Sequence, residues 1–106
     1  MVDVSRGVVA AGMRVELARD AKCIAAGVVS AKGLLEDRAL SETFAPGLYE
    51  ARFHVGAWYR GLGVALPAVP FLEVVTYQFG ISDPAQHCHL PFKCTPWGYS
   101  CFRGGA

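Results

Sequence analysis

Long apolar runs, an excess of charge of one sign and dense cysteine are all missing from this chain of 106 residues. No stretch approaches the roughly 20 consecutive apolar residues needed to cross a bilayer, so no membrane contact is expected. Ten Lys and Arg face nine Asp and Glu, a formal charge of +1. Without a basic stripe, nucleic acid is a poor fit as partner. Asp3, Arg6, Arg14, Glu16 and Arg19 are spread through the first twenty residues, a pattern foreign to a secretory signal. The four cysteines, Cys23, Cys88, Cys94 and Cys101, are therefore expected as free, buried or half-buried thiols rather than two disulfides, in a cytoplasmic chain. No internal repeat, linker or low-complexity segment interrupts it.

What the chain does have is apolar residues, 53% against 18% charged. That is enough for a real core in one domain spanning residues 1–106. The fraction is high for this length, which points to surface covered by other subunits.

The apolar residues alternate. Met13, Val15 and Leu17 interleave with Arg14 and Glu16, and Tyr49, Ala51, Phe53 and Val55 with Glu50, Arg52 and His54. Period two predicts half-buried strands at both places. Residues 23–30 and 71–79 are two more candidate strands, the latter rich in Val, Thr, Tyr and Phe. Residues 87–95 and 99–103 read as a hairpin around Pro96-Trp-Gly98. Residues 55–62 are the one helical segment, held to about two turns by Gly56, Gly61 and Gly63. Short strands, spaced turns and one short helix predict an all-β fold, an antiparallel β-sandwich of two sheets.

The first strand of that hairpin carries the candidate chemistry. In a strand, residues two apart share a side, so His87 and His89 face one way and Cys88, Leu90, Phe92 and Cys94 the other, toward the core. That parity argues against a zinc site, because the cysteines point away from the imidazoles. It also argues against Cys88 as a nucleophile, since no base lies on its side. His54 is expected as a surface residue of its strand.

Read as a whole, His87-Cys-His-Leu-Pro-Phe-Lys-Cys-Thr-Pro-Trp-Gly-Tyr-Ser-Cys-Phe-Arg-Gly-Gly105 resembles the C-terminal signature of the 5-hydroxyisourate hydrolases, the enzymatic branch of the transthyretin family. That signature runs His-Tyr-His-Val-Pro-Leu-Leu-Leu-Ser-Pro-(aromatic)-Gly-Tyr-Ser-Thr-Tyr-Arg-Gly-Ser. The likeness extends to Gly7, to Ala10-Ala-Gly-Met-Arg-Val-Glu-Leu17, to Ala45-Pro-Gly-Leu-Tyr-Glu50, to Pro70-Phe71 and to Phe79-Gly-Ile-Ser-Asp-Pro84. It implies a transthyretin-like sandwich assembled as a homodimer or homotetramer, with active sites in a channel between dimers. The implied reaction, in urate (purine) degradation, is hydrolysis of 5-hydroxyisourate to 2-oxo-4-hydroxy-4-carboxy-5-ureidoimidazoline, with no metal or organic cofactor.

Carried over residue by residue, the resemblance makes His89 the catalytic histidine, a residue type suited to general-base work because free imidazole titrates near neutral pH. Arg103 matches the terminal arginine as a substrate-binding group, with His87 beside it in support. Other positions depart. Leu34 stands where the family reads arginine, Gly105 where it reads serine, and Phe102 where it reads tyrosine. Arg38 is expected as a solvated loop charge rather than a replacement. The family's leading His-Val-Leu-Asp aligns its last three residues with Met1-Val2-Asp3, so its histidine would directly precede Met1. A start assigned one codon late, at a GTG preceded by an in-frame histidine codon, and a shortened gene both produce that pattern. The departures imply impaired hydrolysis, and they set a second expectation of another class: a catalytically silent transthyretin-like protein that binds a small planar ligand, or a decayed copy.

Overall fold

The structure, a computed structural model, describes residues 1–35, 45–83 and 90–104. Its first sheet contains β3 (Arg14–Arg19), β4 (Lys22–Val28), β5 (Gly47–Phe53) and β6 (Val75–Ile81), ordered β4-β3-β5-β6 and antiparallel throughout. The alternation read from the sequence sets its faces: Met13, Val15, Leu17, Tyr49, Ala51 and Phe53 are buried. A register shift between Leu17 and Ala18 lets two successive residues face inward, as a bulge does. Asp20 and Ala21 close the β3–β4 hairpin, both at positive φ (51° and 63°). Such turns match the right-handed twist of the strands they join.

The second sheet contains β1 (Val2–Asp3), β2 (Val8–Val9), β7 (Phe92–Thr95) and β8 (Gly98–Cys101), in the order β2-β1-β7-β8. β1 lies parallel to β7, and the other pairs are antiparallel. The two-residue strands β1 and β2 carry no readable period, so the sequence does not announce them. Phe92 and Cys94 face inward while Lys93 is exposed, the parity expected from the sequence. The sheets meet where Phe53 stacks on Phe92, ring centroids 3.8 Å apart and planes within 1° of parallel. At the hairpin tip, Thr95 Oγ1 accepts from the amides of Trp97 (3.1 Å) and Gly98 (3.0 Å), which holds the Pro96-Trp97 turn.

α1 (Val55–Gly61) is the one helix among the described residues. It buries Val55, Trp58 and Tyr59, the i, i+3, i+4 stripe of a helix lying on a sheet. Gly56 permits the approach of the following loop: a Cβ there would sit 2.9 Å from the Leu72 carbonyl oxygen, too close to fit. That contact explains a shifted boundary. Residues 71–74 are not strand; the Glu73 carbonyl accepts from the Gly56 amide (3.0 Å), and the Glu73 carboxylate holds Arg60 at 2.6 and 2.8 Å. β6 instead continues to Ile81, where Gly47 and Leu48 supply pairing partners.

Candidate active site

The β2-β1-β7-β8 sheet carries residues 92–101 of the C-terminal motif. Cross-strand pairing puts Val9, Val2, Lys93 and Ser100 in one row on its outer face, because directly paired residues project to the same side. The adjacent row, Val8, Asp3, Cys94 and Tyr99, includes the fully buried Asp3 and Cys94. Outward therefore means a surface of valine side chains, a hydroxyl and one ammonium.

One further segment reaches this sheet. The Met1 backbone nitrogen donates to the Gly33 carbonyl at 2.9 Å, and the Met1 carbonyl accepts from the Ala10 amide at 3.1 Å. Gly33 has φ +80°, and a Cβ on it would lie 3.3 Å from Val9 Cγ1 and 3.4 Å from the Met1 carbonyl oxygen. Glycine thus serves both the turn and the close approach. The turn is tied by the Gly33 amide to the Ser30 carbonyl (2.9 Å) and the Ser30 amide to the Leu34 carbonyl (2.8 Å). Leu34 follows directly and is 49% exposed. The structure thus brings the Lys32-Gly33-Leu34 turn against Met1, two segments more than thirty residues apart.

Arg103 lies just past the end of β8 and is exposed, as is its neighbour Phe102. His87 and His89, with Cys88, Arg38 and Gly105, fall outside the described residues. Cys23, Cys94 and Cys101 are free thiols, exposed, buried and half-buried respectively. Among the described residues no three His, Cys, Asp or Glu side chains gather as metal ligands, and no helix is long and apolar enough to cross a membrane.

Behind the sheet sits a polar hub that sequence reasoning missed. Asp3, fully buried, accepts from Tyr59 Oη (2.8 Å), Ser5 Oγ (2.5 Å), the Ser5 amide (3.0 Å) and Arg6 Nε (2.8 Å). Burial raises its pKa, but the donated hydrogen bonds from Ser5, Arg6 and Tyr59 together outweigh burial and hold the carboxyl below its ordinary value. Burial, then the Asp3 carboxylate, push the Tyr59 hydroxyl far up. The hub fixes β1 against α1 and β7. Its only sequence signal is Asp-x-Ser-Arg after a valine, too short to read alone.

His54 corrects a second expectation. It sits at the junction of β5 and α1 rather than on the strand surface, three-quarters buried, with Nε2 2.5 Å from Glu16 Oε1. The His54 hydrogen bond is the chief reason that Glu16 titrates below its usual range; burial opposes it, and the charges of His54, Arg14 and Arg52 add to it. A depressed carboxylate contributes stability above its unfolded pKa of roughly 4.3 and loses it as pH falls through the folded value. Glu16→Gln is expected to lower stability by about 1 kcal/mol at pH 7, a hydrogen bond to a charged group reduced for partial exposure. It should also shallow the fall in stability between roughly pH 5 and 3, the window below the unfolded value. Urea midpoints across that range check both effects.

Comparison with known proteins gives the same outline. The sequence model of the HIUase/Transthyretin family matches residues 1–104. The chain is 48% identical over 71 residues to the 5-hydroxyisourate hydrolase of Ralstonia nicotianae, a match covering 67% of this chain and 57% of that protein. In that alignment it spans a little over half of the relative's length. It is 38% identical to the 5-hydroxyisourate hydrolase of Deinococcus radiodurans, covering 98% of this chain and 91% of that one. The structure of Klebsiella pneumoniae 5-hydroxyisourate hydrolase superposes with a TM-score of 0.82 at 28% identity, covering 98% of this chain and 92% of the other.

Proposed function

Because the chain belongs to the HIUase/Transthyretin family, we propose that it acts on 5-hydroxyisourate, the labile product of urate oxidation, and opens its ring by adding water across a C–N acyl bond. The observation that carries this reading is full-length similarity to named 5-hydroxyisourate hydrolases. In β7 the odd-numbered Lys93 points out while Phe92 and Cys94 point in. His87 and His89 lie outside the described residues, and their place on the outer face is the expectation read from the sequence. His89 is the proposed base that activates water, Arg103 the proposed group holding ring oxygens, and His87 its support. No metal or organic cofactor enters this reading.

Leu34 is one of several departures that together lower the rate in this reading. It cannot donate a hydrogen bond or stabilise developing negative charge, and loss of one such donor costs about 10²–10³ in rate. The test is the decay of 5-hydroxyisourate generated fresh from urate, followed by absorbance. A small acceleration, proportional to chain concentration and lost in His89→Ala, supports the reading. Decay independent of the chain at every concentration favours the silent, ligand-binding alternative.

The proposed working form is a cytoplasmic homodimer or homotetramer of a single-domain chain. β8 is an edge strand of its sheet, and Trp97, Tyr99 and Phe102 around it are 62%, 49% and 45% exposed. Open edges beside exposed aromatics call for cover. Light scattering at micromolar concentration is expected to give the mass of a dimer or tetramer; a stable monomer overturns the assembly and any site built between subunits.

A further inference from the structure

The proposed reaction uses His89 and Arg103 and leaves Lys93 unexplained. In the family signature the corresponding position reads leucine, between two residues that here are Phe92 and Cys94. Both of those are buried, so Lys93 takes an outward position. Its paired neighbours are Val2 on β1 and Ser100 on β8. Among the described residues it makes no ion pair and no side-chain hydrogen bond. The nearest acid by pairing, Asp3, faces the other side and is saturated by its own donors. A lysine with a valine on one side and a hydroxyl on the other is equipped to hold a flat anion: apolar contact for the ring, a donor for an oxygen, a point charge for the negative charge.

We infer that Lys93 is the anion-holding residue of this face, giving it affinity for singly charged oxopurine rings, the class to which planar urate and ionised 5-hydroxyisourate, tetrahedral at C5, both belong. The inference rests on the proposed function for the identity of the ring and on the register for the residue. A cation that meets bound substrate and transition state alike lowers KM and leaves kcat unchanged. Lys93 therefore acts on affinity and does not replace the arginine missing at position 34.

The probe is urate itself, titrated calorimetrically into the unmodified chain, Lys93→Leu and Lys93→Arg, with uncharged hypoxanthine as comparator. Lys93→Leu restores the residue of the family signature at an exposed position, and an unchanged thermal melt confirms that it folds. Urate binding is expected to weaken roughly 10- to 100-fold in Lys93→Leu, the worth of a hydrogen bond to a charged group. It should persist in Lys93→Arg, and it should fall with added salt in the unmodified chain. Hypoxanthine should be held equally by all three. Equal urate affinity in Lys93→Leu and the unmodified chain overturns the inference, as does absence of urate binding to the unmodified chain. If 5-hydroxyisourate decay depends on the chain and on His89 while Lys93→Leu alters neither urate binding nor KM, Lys93 is wrong and the hydrolase reading stands. Lys93-dependent urate binding by a chain that leaves 5-hydroxyisourate decay untouched supports Lys93 and overturns the hydrolase reading.

Discussion

Asp3→Ala is expected to lower the unfolding free energy by about 3 kcal/mol, a large share of the roughly 5–15 kcal/mol available to a domain of this kind. The substitution orphans the Tyr59 hydroxyl inside the core, where Cys94 offers only a carbonyl at 3.5 Å and a thiol at 3.8 Å. It also frees Ser5 and Arg6, which the carboxylate holds in the β1–β2 turn. Arg6 is half-exposed and recovers water, so most of the loss falls on Tyr59 and on the turn. Asp3→Asn keeps an acceptor and should cost less than half as much. The pH dependence has a fixed sign. The folded carboxyl titrates below its ordinary value, so its contribution is complete above the unfolded pKa of roughly 3.9 and vanishes as pH falls through the folded pKa. Urea unfolding of the three proteins at pH 7 and pH 3 decides it. A loss under about 1 kcal/mol for Asp3→Ala at pH 7 would mean that the hub is held by its neighbours instead.

Wherever burial alternated along a strand, the sequence was legible. Met13, Val15 and Leu17, or Tyr49, Ala51 and Phe53, show their inward face without any partner in view, since period two needs no knowledge of what lies opposite. The inward parity of Phe92 and Cys94 was legible for the same reason. What depends on a distant partner was not. β1 and β2 are strands because β7 and each other complete their ladders, and two residues hold no period. Residues 71–74 have strand-forming composition yet serve as the loop over Gly56, a tertiary contact overriding propensity. Asp3 and His54 each needed a partner 56 or 38 residues away, Tyr59 and Glu16, to become what they are. Of the candidate site, Leu34 and Arg103 were named from motif position alone. The packing of the Gly33 turn against Met1, which puts Leu34 beside the β1–β2 sheet, was invisible until the chain was folded.

The unmodified chain is expected to hydrolyse 5-hydroxyisourate little faster than it decays spontaneously. Leu34 takes the place of a donor, and Gly105 and Phe102 each take the place of a hydroxyl in the family pattern. Groups that act as one unit are strongly non-additive: the first loss removes most of the rate, and later losses remove less. Leu34→Arg alone should therefore restore almost nothing. Leu34→Arg combined with Gly105→Ser and a histidine placed ahead of Met1 should restore turnover on the order of 10²–10³ above the unmodified chain, the worth of a recovered oxyanion donor in a completed set. The close packing of Met1 on Gly33 puts two of these three changes, the added histidine and Leu34→Arg, beside the same turn. His89→Ala in the combined variant should return the rate to the spontaneous value, because removing the base leaves water unactivated. Single-turnover and steady-state absorbance traces on freshly generated substrate measure each step. Robust activity in the unmodified chain that survives His89→Ala would place the chemistry at another site, and the assignment of His89 would fall with it.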